Sequence, residues 1–205
     1  MARDEERKAR AGEAPVVGGL PDVPGIVVAM RLSPGLAVHL RGLADELLVK
    51  DFPGATLTRA ERELLATAVS AGNDCFYCMD SHGAFAGELL RRANAAQVDA
   101  LVDGIKSGGS AGVDAKMTAL LHLARVVRKN PRDVTREDVT RAVEAGATDA
   151  DTQLAVLIAS AFCMYNRMVD GLRAQTPPSA DAYRARAAEI AEHGYSDPRV
   201  QSLPR

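Results

Sequence analysis

Two thiols and an imidazole stand at i, i+3 and i+7 in the segment Asn73-Asp74-Cys75-Phe76-Tyr77-Cys78-Met79-Asp80-Ser81-His82. On an α-helix those three positions share one face. A carboxylate, Glu63, precedes Cys75 by twelve residues in Leu57-Thr58-Arg59-Ala60-Glu61-Arg62-Glu63-Leu64-Leu65, so a preceding helix could bring it to the same place. The chemistry such a set supports is that of a thiolate. A free cysteine, with a pKa near ~8.5, is mostly protonated at neutral pH. First-turn amides and the positive end of the helix dipole favour a negative sulfur, and a partner thiol can hydrogen-bond to it. His82, one turn beyond Cys78, can accept or deliver the proton.

The spacing also supplies a second step. Cysteines at i and i+3 in a first turn can close a disulfide without unfolding the helix, so a sulfenic acid formed on one sulfur is resolved by the other. Glu63 would orient or protonate His82 as the third group of a nucleophile, base and orienter arrangement. Each cycle leaves a disulfide that an external dithiol must reduce. Two further readings share the motif: a structural pair with no chemistry, and a zinc site. Two Cys and one His are three ligands where a tetrahedral structural site wants four, and no second CxxC or HxxxH completes the set, although Glu63 could serve in a catalytic one.

The elements that must position these residues are helical. Strand signals are almost absent, and the spacing of Leu32, Leu36, Val38, Leu40, Leu43, Leu47 and Leu48 marks a first long helix with Pro34 near its start. Thr58 with Glu61 forms a capping box that opens a helix ending at Gly72. Asp74 is expected to cap the next, which carries Cys75, Cys78 and His82 and runs through Phe85, Leu89 and Leu90 to Asn94, so that both cysteines fall in its first turn. Further helices are expected over about 95–105, 113–129, from Thr135 to Ala145, and from Thr148 to Leu172. Ser107-Gly108-Gly109-Ser110 reads as a flexible turn, Pro131 as a stop, and Pro177-Pro178 as the end of the core. Ala180 to His193 makes a final Arg- and Ala-rich helix suited to packing on a partner subunit. Segments 64–71 and 153–160 resemble one another and both lead toward a cysteine, a weak trace of an internal repeat.

One domain is expected, divided as a polar tail over residues 1–23, a helical core over 24–178 and a C-terminal helix and tail over 179–205. With 47% hydrophobic and 25% charged residues the 205-residue chain has the balance of a globular domain. Its 25 basic and 27 acidic residues, without a basic block beyond the first residues, imply neither nucleic acid nor an anionic membrane as partner. The first fourteen residues are charged, unlike a signal peptide, and the run Leu154 to Tyr165 falls short of the roughly 20 residues that span a bilayer. A cytoplasmic, reducing setting follows, in which a close cysteine pair is catalytic or metal-binding rather than a permanent staple.

Other reactive types have quieter readings. Cys163 sits in an apolar run and reads as a buried small hydrophobe. His39 and His122 read as satisfied helix histidines and His193 as a solvated one. Met164 and Met168 read as core or subunit interface. Asn166 and Arg167 suit a hydrogen bond across an interface, and Arg184, Arg186 and Glu189 a solvated helix face. A small pocket lined by Phe76, Tyr77, Met79 and Phe85 is conceivable.

The pattern Glu, eleven residues, then Cys-x-x-Cys-x-x-x-His resembles the alkylhydroperoxidase D-like (AhpD-like) family within the carboxymuconolactone decarboxylase superfamily. Arg62-Glu63-Leu64, Ser70, Asn73 and Tyr77-Cys78 look like its peroxidase-related branch, and Tyr165-Asn166-Arg167-Met168-Val169-Asp170 like that branch's last core helix. The resemblance covers roughly residues 24–178. It implies an all-α fold assembled into trimers, hexamers or larger rings, and hydroperoxide reduction by the cysteine pair with no haem, flavin or other cofactor. It makes Cys78 the peroxidatic sulfur and Cys75 the resolving one, which takes electrons from a lipoyl group or thioredoxin-like dithiol while Glu63 and His82 relay protons. The best-known peroxidases of the family have a histidine just before the second cysteine. Here it is Tyr77, whose phenol can pass a hydrogen bond but is a weak base. The decarboxylase branch lacks the cysteine pair, which argues against lactone decarboxylation.

Overall fold

In a computed structural model the chain is all-α. The structure describes residues 5, 17–177 and 179–198, so most of the expected N-terminal tail and the last seven residues lie outside it. Nine α-helices are present among the described residues: α1 (Val27–Leu32), α2 (Pro34–Leu48), α3 (Arg59–Gly72), α4 (Phe76–Arg92), α5 (Val98–Lys106), α6 (Ala115–Lys129), α7 (Arg136–Glu144), α8 (Asp149–Gly171) and α9 (Arg184–His193). Extended pairing among them is confined to a parallel bridge between Pro24 and Gln175.

Local chemistry sets most of these boundaries. Capping boxes at Thr58 with Glu61, Thr135 with Asp138 and Thr148 with Asp151 open α3, α7 and α8, each satisfying two amides that a helix start leaves unpaired. Leu32 belongs not to the long α2 but to the short α1. Ser33 between them is extended, the conformation favoured before a proline, and its hydroxyl accepts from the Leu36 amide. α5 begins at Val98 because Gln97 adopts a left-handed φ of 50°. The first turn of the expected Ala180–His193 helix is 3₁₀, Ala180–Tyr183, before α9 proper.

α3 is the central element. Every residue from Arg62 to Ala71 is buried, the signature of a helix covered on all sides, and it packs against α4, α6 and α8. Leu64, Leu65 and Val69 are at most 1% exposed. Each such side chain contributes about 1.5–3 kcal/mol of transfer free energy. The two similar segments lie in α3 and α8. Asp151, fully buried at the start of α8, takes the Thr56 and Leu57 amides at 2.7 and 3.1 Å and the Thr56 hydroxyl at 2.7 Å. It thereby fastens the loop before α3 to α8. Burial acts to raise the Asp151 pKa, but the donors from Thr148, Thr56 and Leu57 outweigh it and hold the carboxyl below its usual value.

α9 packs on α4 of its own chain. Arg59 ties down its end, donating to the carbonyls of Ala191 and Ile190 at 2.7 and 3.0 Å. α9 thus packs on the helix that carries the cysteines, burying Ala187, Ile190 and Ala191.

Candidate active site

The turn between α3 and α4 differs from the expected one. Asp74 does not cap α4; it sits at φ 55°, and Cys75 is the extended N-cap residue, its amide bonded to the Ser70 carbonyl at 3.0 Å. Only Cys78, at the third helical position, lies inside the first turn. The left-handed step at Asp74 brings the Cys75 side chain over the helix start, where it meets the Cys78 thiol.

Both thiols are free and buried, at 0% and 3% exposure. The hydrogen bond with Cys78 and then burial push the Cys75 thiol strongly upward. Cys75 therefore keeps its proton. A proton-bearing Cys75 is a donor to the Cys78 sulfur, while the Cys78 backbone amide at the start of α4 faces the Cys75 sulfur and acts more weakly in the opposite direction.

Glu63, in the second turn of α3, and His82, in the second turn of α4, meet across the hairpin at 2.7 Å, Oε2 to Nδ1. A carboxylate only accepts, so Nδ1 carries the hydrogen and Nε2 is left as the working nitrogen. The imidazole is wedged edge-on against Phe162 and Phe85, with centroids at 4.5 and 5.3 Å, and lies near-parallel to Tyr195 at 6.0 Å. Cys78, paired with Cys75, and His82, paired with Glu63, line one cavity.

Tyr77 takes a different place. Its ring packs edge-on against Tyr183, centroids 5.5 Å apart, and over Gly25, whose φ of 58° and missing side chain leave room for it. Burial pushes its phenol up to about 12. The Glu63–His82 pair is bonded instead to Tyr195, whose hydroxyl donates to Glu63 Oε1 at 2.6 Å and lies 3.3 Å from His82 Nδ1. Sequence reasoning missed Tyr195. The available signal was an aromatic directly after Gly194, the residue that ends α9, but it sits 132 residues from Glu63.

An apolar cavity of about 50 Å³ lies against Cys78, His82 and Tyr195, walled by Ile26, Met30, Leu40, Phe162 and Tyr165. Of the four residues expected to line a pocket, only Tyr77 does. Phe76 and Met79, which the helical period turns away from the Cys78 face, cluster with Ala71, and Phe85, on that face but two turns further along, packs with Ala187 and Ile190.

Beneath the thiol turn, Asn73 Nδ2 donates to Asn166 Oδ1 at 2.8 Å and approaches Cys163 Sγ at 3.6 Å, while Asn166 donates to the Ser70 hydroxyl at 3.1 Å. The Asn166 hydrogen bonds run within the chain, and Cys163 is only half-buried. His122 pairs with Asp138 at 2.9 Å, and His39 is exposed. The His193 side chain is 14% exposed between Glu189 and Glu192, so it is not a solvated residue. Among the described residues, no three His, Cys, Asp or Glu side chains are grouped to hold a metal ion.

The model of the carboxymuconolactone decarboxylase family matches residues 34–125, a span that contains Glu63, Cys75, Cys78 and His82. An alkylhydroperoxidase AhpD core, an uncharacterized peroxidase-related protein from Ralstonia eutropha JMP134, has a similar structure. Its TM-score is 0.66 at 25% identity, over 89% of this chain and 86% of its own. An uncharacterized peroxidase-related protein from Silicibacter sp. TM1040 shares the fold with a TM-score of 0.66 at 22% identity, over 84% of this chain and 93% of its own. No curated protein matches the chain significantly.

Proposed function

From the match of the carboxymuconolactone decarboxylase family model over residues 34–125 and the AhpD-like fold, we propose that this chain is a thiol peroxidase reducing organic hydroperoxides. The observation that carries the reading is the Cys75–Cys78 pair and the hydrogen-bonded Glu63–His82 dyad, with Cys78 and His82 on the wall of one apolar cavity. Cys78 loses its proton to His82 Nε2. The thiolate attacks the terminal peroxide oxygen, a sulfur–oxygen bond forms as the O–O bond breaks, and the departing alkoxide takes the proton back from His82 to leave as an alcohol. Cys75 then attacks the Cys78 sulfenic acid, releasing water and closing the disulfide. An external dithiol of the lipoyl or thioredoxin-like class reduces that disulfide and is itself oxidised.

The cavity size supports a small oxidant. A water needs about 10–15 Å³ of such space, so about 50 Å³ has room for a peroxide group. The alkyl portion would lie along Ile26, Met30 and Leu40. Exposed Leu36, Leu43, Leu157 and Met164 suit contacts between copies in a trimer or hexamer. No helix among the described residues is long and apolar enough to cross a membrane.

The test is stopped-flow titration of the reduced Cys163→Ala protein with cumene hydroperoxide and hydrogen peroxide, counting thiols before and after. Loss of two thiols per chain, far faster than free cysteine reacts, is expected. Persistence of both thiols overturns the peroxidase reading.

A further inference from the structure

We propose that Tyr195 is a positioning residue of the proton relay, holding the Glu63 carboxylate and, through it, the tautomer of His82. The inference rests on the peroxidase reading for its chemistry and on independent geometry for its placement.

Glu63 is 1% exposed, and each of its carboxylate oxygens has its own donor: Oε2 faces His82 Nδ1 at 2.7 Å and Oε1 accepts the Tyr195 hydroxyl at 2.6 Å. With Oε1 occupied, the carboxylate cannot rotate away from the imidazole without breaking a charge-assisted bond. Burial and the Glu63 charge raise the Tyr195 phenol well above its ordinary value, so the hydroxyl remains a donor and transfers no proton. In the step above, the proton moves between Cys78, His82 Nε2 and the alkoxide, while the hydrogens of His82 Nδ1 and the Tyr195 hydroxyl stay on their own atoms, donated to Glu63.

The chain after α9 is shaped to deliver this hydroxyl. Asp45, 8% exposed on α2, accepts the Tyr195 amide on Oδ1 at 2.6 Å and the Ser196 amide on Oδ2 at 3.0 Å. Gly194 makes the turn with φ 76°, and a Cβ there would stand 2.9 Å from Asp45 Oδ1. Two buried carboxylates thus grip one residue, one by its backbone and one by its side chain. A tyrosine serving only as packing would need neither.

The test compares Tyr195→Phe and Gly194→Ala with the parent protein, all reduced. Tyr195→Phe keeps the ring and the Asp45 clamp; Gly194→Ala keeps the hydroxyl but displaces it. The first readout is the ¹⁵N–¹H NMR signature of the His82 ring, which needs no peroxide. The parent is expected to show a single Nδ1–H tautomer and both variants a mixture with Nε2–H. The second is the single-turnover rate with cumene hydroperoxide, expected to fall roughly 10- to 100-fold, the size of one lost hydrogen bond to a charged group. Asp45→Asn should slow the parent and add little to Tyr195→Phe. An unchanged tautomer in both variants overturns the proposal. A parent protein inert to hydroperoxide defeats the peroxidase reading alone, because the tautomer comparison still decides the role of Tyr195.

Discussion

At the scale of single residues the two cysteines are unequal although both are buried. Cys78→Ser is expected to abolish hydroperoxide consumption. Cys75→Ser should still complete the first half-reaction, consuming one equivalent and leaving a sulfenic acid that dimedone traps and mass spectrometry detects. His82→Ala or Glu63→Gln should slow single turnover by the roughly 10²- to 10⁴-fold typical of a lost acid or base, read by stopped flow. This much of the site was legible in sequence, because Glu63, Cys75, Cys78 and His82 lie within one helical hairpin whose periodicity fixes the facing sides. Tyr195 was not, because nothing local marks a residue that becomes a neighbour only after the whole chain has folded back. Tyr77 was misleading for the opposite reason: its position beside Cys78 suggested a relay, while the helical turn points it at Tyr183.

At the scale of elements, one glycine helps to locate the site. Gly25 lies under Tyr77, where a Cβ would come within 2.2 Å of the ring, at a φ of 58°. Gly25→Ala should cost about 2–4 kcal/mol in urea unfolding, the left-handed penalty and the overpacking together. It should also disturb Cys78 reactivity by moving its neighbour. Helix starts were readable wherever a threonine and an acid three residues on form a capping box, as at Thr58, Thr135 and Thr148. The start of α4 was misread by the same logic, since Asp74 has the right side chain but spends its backbone on the left-handed turn that seats Cys75. α1 was merged with α2 because apolar spacing alone does not reveal that Ser33 is extended.

At the scale of the whole molecule, stability should follow the buried acids. The thiol of Cys75 and the phenols of Tyr165, Tyr183 and Tyr195 are all raised, mainly by burial except at Cys75, where the Cys78 hydrogen bond leads. A group with a raised folded-state pKa adds stability that is complete below its unfolded value and lost as pH climbs beyond it. The reduced protein should therefore hold its melting temperature up to pH ~8 and lose it progressively above the free thiol and phenol values of ~8.5 and ~10. Cys75→Ser should soften the first part of that decline in calorimetry. At the acid end Asp151 works the other way. Its lowered pKa gives stability that is complete above pH ~4 and lost below it. Asp151→Asn should cost about 3 kcal/mol near neutrality, the scale of lost bonds to a buried charge, and progressively less in acid.

The strap after α9 has a kinetic consequence as well. Its grip on Asp45 closes a loop of 150 residues, the kind of long-range contact that forms late and opens first. Amide hydrogens of Tyr195 and Ser196 should accordingly exchange with deuterium at a lower opening free energy than those of α3. A molecule gently warmed would then lose its fastest chemistry at a temperature where its helices, by circular dichroism, are still intact.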